Sequence, residues 1–316
     1  MTDTLTTPEA VRRFYDDGPD GEGAGRAYTQ LMGTVWHHGA RDAEQAGKSV
    51  AEAQDIMQRR LMAHTGLEER QRSPEIVERP RCFDFGSGPG GATRNMAAVT
   101  GAEFVGVSNA DTLNQQARRL TAEQGMDDQV CFVTIGDHDY RRLAAWADGS
   151  FDAVSFVESV CHLPRKQDFF DSAFRILKPG GRLVGLDWLQ RPFGEYQTKE
   201  QIKAIIDPVC KHIRLAGLGT LDSYTDMMCR AGFDVTHAVD EYAGEPCWGS
   251  TPPEDREKWL NYDRRRRHGG RTGRLLRRRR GPSLFKDGKL ALDAARGAGV
   301  FTVGWFAATR PAASQQ

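Results

Sequence analysis

The run Cys82-Phe83-Asp84-Phe85 leads directly into Gly86-Ser87-Gly88-Pro89-Gly90-Gly91, and residues 92–99 then form a helical stretch. Glycine at alternate positions lets the backbone turn sharply and lie close against a ligand. A helix that starts just after such a turn offers free N–H groups and the positive end of its dipole. An apolar strand, a glycine turn and a helix, in that order, open a strand–helix–strand unit, which commits the chain to an α/β fold. Taken alone, the glycines also fit a tight turn with no ligand.

The rest of the chain repeats this alternation. Short apolar runs at 82–85, 103–107, 130–135, 153–157 and 182–187 read as strands, with amphipathic helices such as 112–124 and 166–176 between them. That period predicts a parallel sheet covered by helices on both faces. Two further strands are expected at 234–242 and 300–309. Residues 1–26 are polar and glycine-rich, and read as a mobile arm with one short helix near 11–15. Residues 42–71 carry Ile56, Met57, Leu61 and Met62 at helical spacing and read as one helix. The expected organisation is an arm and helical lid (1–80), a core (81–190), cap helices with a sixth strand (191–242), an arginine-rich insertion (243–299), and a last strand with its tail (300–316).

Charge narrows the partners. The 316 residues hold 43 Lys+Arg and 43 Asp+Glu, a net charge of zero. Ten arginines lie between Arg264 and Arg280 with no acid among them, so the remaining chain is acidic. An acidic body argues against a general nucleic-acid binder and confines any such role to the arginine block. No apolar run of about 18 residues suggests a membrane span. The first residues lack the apolar core of a signal peptide. The six cysteines contain no C-x-x-C pair, which speaks against a zinc site or disulfide framework and fits the cytoplasm. No metal is expected.

The glycines follow D-x-G-x-G-x-G rather than the dinucleotide G-x-G-x-x-G, and the second strand ends in Ser108-Asn109 with no acid at its tip. With Gly136-Asp137 after the third strand, Phe151-Asp152 opening the fourth and the turn Leu177-Lys178-Pro179-Gly180-Gly181, residues 81–188 resemble the core of class I S-adenosylmethionine-dependent methyltransferases. The resemblance implies a Rossmann-like seven-stranded methyltransferase sheet with a helical cap, and S-adenosylmethionine as cofactor. By that likeness Gly86, Ser87, Gly88 and Gly90 cradle the methionine and ribose parts. Asp84 orients the amino group, Ser108 and Asn109 take the ribose position, and Asp137 and His138 flank the adenine.

Three further stretches resemble sterol C-methyltransferases and bacterial terpenoid C-methyltransferases: residues 28–39 with Tyr28, Trp36, His37 and His38; Glu158-Ser159-Val160-Cys161-His162-Leu163-Pro164; and residues 291–306. This likeness implies methylation of an alkene carbon in a prenyl or terpenoid small molecule, such as the geranyl group of a natural product, with cyclisation possible from the cation formed. Glu158 and His162 are the candidate catalytic groups, one as electrostatic stabiliser and either as base. Tyr28, Trp36, His37, His38, Trp188 and Phe193 are candidate substrate contacts. Trp36, Trp188, Phe193, Trp248 and Trp305 are candidate aromatic faces for a cation. Glu158 could instead be a helix-start acid, and His162 a structural histidine. Methylation of oxygen or nitrogen on a small natural product is the alternative within the class. For the arginine block a solvated loop, an anion clamp, a nucleic-acid site and pairing with an acidic neighbouring subunit in a homo-oligomer all remain open.

Overall fold

The computed structural model describes residues 6–18, 20–72, 78–192, 198–243, 247, 256–262 and 284–312. Phe193, Trp248 and the 264–280 arginines fall outside these residues. In chain order the elements are α1 (Pro8–Tyr15), α2 (Ala24–Met32), α3 (Arg41–Gln45), α4 (Val50–Ala63), α5 (Leu67–Arg72), β1 (Arg81–Phe85), α6 (Gly91–Thr100), β2 (Glu103–Ser108), α7 (Asp111–Glu123), β3 (Val130–Thr134), β4 (Phe151–Val157), α8 (Lys166–Ile176), β5 (Leu177–Gln190), α9 (Lys199–Ile213), α10 (Leu221–Ala231), β6 (Asp234–Asp240), α11 (Arg256–Leu260), α12 (Lys286–Gly297) and β7 (Phe301–Thr309).

The seven strands lie in the order β3-β2-β1-β4-β5-β7-β6. The sheet is mixed rather than wholly parallel. β7 runs antiparallel to both β5 and β6, because the last strand returns and slots between them. One face buries Met57, Leu61, Met96, Phe104, Ile206 and Phe301, and the other buries Phe83, Phe156, Phe169, Phe170, Tyr224 and Phe306. β1 and β4 are neighbours, with the chain progressing outward on either side of them. This is the switch point where open α/β sheets bind ligands, beyond the carboxyl ends of the strands.

Three local expectations are corrected. The stretch 42–71 is three helices, not one. Gly47 (φ +75°) ends the first turn region, Ser49 and Glu52 form a capping box that starts α4, and Gly66 (φ +68°) separates α4 from α5. Apolar spacing carried across these glycines, while their left-handed backbone could not continue a helix. The turn expected at 177–181 is part of β5, which begins at Leu177 directly after α8 and pairs with Phe151 before an irregularity in the ladder. The N-terminal arm is docked: Val11 and Phe14 of α1 are buried, and Phe14 packs in a small cluster with Ala24, Ala27, Trp259 and Phe285. A local run of polar residues and glycines hid an amphipathic helix whose apolar face needs distant partners.

Candidate active site

The glycine turn is tied to the sheet first. Gly86 N–H and Ser87 N–H both donate to the Val107 carbonyl of β2, each at 2.9 Å. Gly86 has φ +77°, and a Cβ there would stand 2.2 Å from the Ser159 Cβ. Ser159 Oγ in turn donates to the Phe85 carbonyl at 2.7 Å. The glycine is therefore what allows the end of β1 and the end of β4 to lie together. Asp84 is buried and accepts from Thr93 Oγ1 at 2.6 Å and from Ser155 Oγ at 2.8 Å. Burial raises its carboxyl above the usual range, and the two hydroxyls partly offset that.

A cavity of about 260 Å³ opens beyond this turn. Asp84, Gly86, Ser87, Gly88, Ser108, Asn109 and Asp137, the expected cofactor contacts, line it together with Tyr28, Trp36, His37, His38, Glu158, His162 and Trp188. Gly90 and His138 are not on the wall. A Cβ at Gly90 would meet the Phe132 ring at 2.4 Å, so this glycine makes room for core packing. His138 pairs with Glu9 at 2.7 Å, half-exposed. Trp305 is also away from the cavity, stacked on His237 and tilted against His64, so it offers no face to a substrate there.

Helix α1 covers the tips of β2 and β3. Arg12 Nε donates to both Asp137 oxygens at 3.1 Å. Asn109 Nδ2 donates to the Pro8 carbonyl at 3.2 Å and to Asp137 Oδ1 at 3.1 Å. Pro8, Val11, Phe14 and Tyr15 face the cavity, none of them foreseen as a site residue. The one signal in the sequence was the apolar pair Val11 and Phe14, at helical spacing on either side of Arg12 and Arg13.

Glu158 directly follows β4 and has φ +49°, a conformation that non-glycine residues avoid at a cost of about 1–3 kcal/mol. Its N–H donates to the Leu186 carbonyl at 2.7 Å, which fixes the turn. The side chain is buried, and Oε1 accepts from His38 N–H and from His38 Nδ1, both at 2.7 Å. Burial favours the neutral acid, yet the His38 contacts outweigh it and hold the Glu158 carboxyl below its ordinary range. His37 turns the other way: Nδ1 donates to the His38 carbonyl and Nε2 accepts from Gln58. Burial lowers its basicity, so it is a neutral structural histidine of the lid.

His162 lies in the turn after Glu158. Its Nδ1 donates to the Arg214 carbonyl at 2.8 Å, which leaves Nε2 as the acceptor facing Tyr15 Oη at 3.3 Å. Burial pushes this imidazole down to about 4, so it is neutral with its lone pair toward the cavity. Lys166 staples the same turn by donating to the carbonyls of Cys161, Leu163 and Gly217. Tyr15, Tyr28, Trp36, Trp259 and Phe285 form a contiguous aromatic part of the cavity wall, with the Tyr28 ring tilted at 5.5 Å from Trp36 and 4.9 Å from Phe285.

The residues present fit S-adenosylmethionine. Ser87 Oγ is a buried hydroxyl of a wall residue that has no hydrogen-bond partner among the described residues, and buried polar groups ordinarily have one. Gly88 (φ +54°) keeps its surface open, with the Trp36 ring 3.6 Å from where a Cβ would stand.

Comparison with known proteins agrees with this geometry. Residues 83–185 match the methyltransferase domain family. The chain is 31% identical to 24-methylenesterol C-methyltransferase 2 of Oryza sativa subsp. japonica over 51% of its length and 43% of that enzyme's. It is 26% identical to the chloroplastic tocopherol O-methyltransferase of Arabidopsis thaliana over 71% of its length and 63% of that enzyme's. In three dimensions it matches geranyl diphosphate C-methyltransferase from Streptomyces coelicolor A3(2), solved with Mg2+, geranyl-S-thiolodiphosphate and S-adenosyl-L-homocysteine, with a TM-score of 0.65 and 18% identity over 96% of this chain and 97% of that one. The chain thus spans about half the length of the curated relatives it matches. Residues 83–185 thus carry a methyltransferase domain, and the sheet and glycine turn have the architecture of class I S-adenosylmethionine-dependent methyltransferases. Within that class, the chain resembles the sterol and terpenoid C-methyltransferases. Among the described residues, no helix is long and apolar enough to cross a membrane.

Proposed function

We propose that the chain methylates an alkene carbon in a prenyl or terpenoid group of a small molecule. The observation that carries this reading is Glu158, a buried carboxylate at the end of β4, set in an aromatic-walled cavity beside a neutral histidine, His162. S-adenosylmethionine supplies an electrophilic methyl group. The π electrons of an alkene would form the new carbon–carbon bond as the sulfur–methyl bond breaks with its electron pair left on sulfur, so that S-adenosylhomocysteine departs and a cation remains on the adjacent carbon. Glu158 faces that charge at short range in a medium where it is poorly screened. The rings of Tyr28, Trp36 and Trp188 add about 0.5–2 kcal/mol each where a face is presented. Water would quench the cation, and α1 with the aromatic mouth keeps it out. His162 Nε2, once released from the Tyr15 hydroxyl, takes the proton that restores a neutral alkene; attack by a second π bond would give a ring instead.

Methylation of a hydroxyl is the second reading. It is favoured by the Tyr15–His162 contact, in which a neutral imidazole already accepts from a phenol, the arrangement an oxygen nucleophile needs. Incubation with deuteromethyl-labelled S-adenosylmethionine and a geranylated acceptor separates the two. A label on carbon supports the proposal, and a label on oxygen or nitrogen supports the alternative.

A further inference from the structure

Two buried donors of cavity-wall residues have nothing to donate to. Nε of Arg296 on α12 and Nε1 of Trp188 on β5 are both buried, and neither has a hydrogen-bond partner among the described residues. Both residues border the cavity, and Arg296 is only 3% exposed. A buried donor without an acceptor is costly, and such groups are rare in folded chains.

The two side chains come from distant parts of the sequence onto one support. The Arg296 guanidinium sits over the Phe301 ring, 5.6 Å from its centroid, and Trp188 meets the same ring edge-on with centroids 5.1 Å apart. Both also reach His38: Arg296 Nη2 lies 2.9 Å from His38 Nε2, and the Trp188 ring lies 5.8 Å from the imidazole. His38 in turn joins this corner to Glu158 through Nδ1. The unpartnered Ser87 Oγ belongs to the glycine turn, among the expected cofactor contacts, whereas these two donors stand on the Glu158 side.

The neighbours do not supply the missing acceptor. Phe301 offers only a ring. His38 Nδ1 is turned to Glu158, its Nε2 faces Arg296 Nη2 rather than Nε, and Cys247 hydrogen-bonds to His38. A guanidinium and an indole N–H donate and never accept. A carbonyl oxygen brings lone pairs and no proton, so it satisfies such donors without needing an acceptor in return.

We infer that Arg296 and Trp188 form a polar subsite of the cavity that takes a carbonyl-type oxygen of the methyl-accepting molecule. This rests on the proposed use of the cavity for that molecule, and it adds an oxygen-bearing part to the prenyl group.

The test is calorimetric binding to the full chain saturated with S-adenosylhomocysteine, with two matched pairs of probes. These are geranylacetone and acetophenone, each set against the alkene in which CH2 replaces the carbonyl oxygen. An apolar cavity without such donors would favour the alkene, the less hydrated of each pair. The wild type should instead bind the ketone roughly tenfold more tightly. Trp188→Phe keeps a ring against His38 and Phe301 and removes the Nε1 donor, and it should cut that preference several-fold, as should Arg296→Met. A wild type that binds neither ketone more tightly than its alkene overturns the inference even if no variant folds, and so does an undiminished preference in both variants. A ketone preference confined to the acetophenone pair would sink the prenyl reading and leave the subsite standing.

Discussion

Tyr15 Oη lies 3.3 Å from His162 Nε2, so a residue of the N-terminal helix completes a site built at the end of β4, 147 positions away. Tyr15→Phe keeps the ring packing against Trp36 and removes this one hydrogen bond. A neutral hydrogen bond contributes about 1 kcal/mol. Turnover should fall roughly fivefold if the bond orients His162 only in the reactive state, with S-adenosylhomocysteine affinity unchanged by calorimetry. A loss of cofactor affinity in place of turnover would assign Tyr15 to the closure of α1.

Arg12 and Asp137 clamp α1 over the cofactor side of the cavity. Arg12 is well exposed, and pairs of this kind contribute about 0.2–1 kcal/mol and weaken with salt. Arg12→Ala should speed release of S-adenosylhomocysteine by a few-fold in stopped flow at low salt. The difference from wild type should shrink as salt rises. Equal rates at all salt concentrations would mean that α1 is held by its apolar face alone.

The pH dependence of stability carries a sign that can be checked. His162 is lowered from 6.5 to about 4 by burial, so the unfolded chain binds this proton more readily, and stability falls as pH drops through that window. Asp187 is raised from 3.8 to about 6, chiefly by burial, and acts in the opposite direction, losing stability as pH rises from 3.8 to 6. The two partly cancel in the wild type. His162→Gln removes only the first, so its melting temperature relative to wild type should rise steadily as pH falls from 6.5 toward 4. A difference that is flat with pH would show that His162 is not held neutral.

Two glycines separate conformation from contact. Gly47 has φ +75° with nothing within 4 Å of a Cβ, so Gly47→Ala should cost about 1–2 kcal/mol for the left-handed backbone alone. Gly86 has a similar φ and a Cβ position 2.2 Å from Ser159. Gly86→Ala should cost more, by roughly 1–3 kcal/mol of overpacking, in chemical denaturation. Equal losses would place the constraint in the backbone and not at the β1–β4 junction.

The strand–glycine–helix unit was legible because its signals are local, an apolar run followed by a turn chemistry; Glu158 and His162 were candidates through the likeness to C-methyltransferases and their place at a strand end, and both lie on the cavity wall. Residues that act across the chain were not legible. Arg296 reads as one arginine among many beside an arginine block, and only the packing of α12 brings it to His38. Tyr15 sits in a stretch whose polar residues and glycines mimic a free arm. Trp305 was misplaced for a related reason: strand alternation fixes a face, while which face meets the cavity depends on β7 being reversed between β5 and β6.

The proposal stands on the charge of Glu158, and Glu158→Gln isolates it, since the amide keeps the shape and an oxygen acceptor for His38. With a geranylated acceptor at saturation, kcat should fall by at least about a hundredfold, while the Kd for S-adenosylhomocysteine stays at the wild-type value. Wild-type kcat in a folded Glu158→Gln enzyme would contradict the proposed role of Glu158 in this cavity.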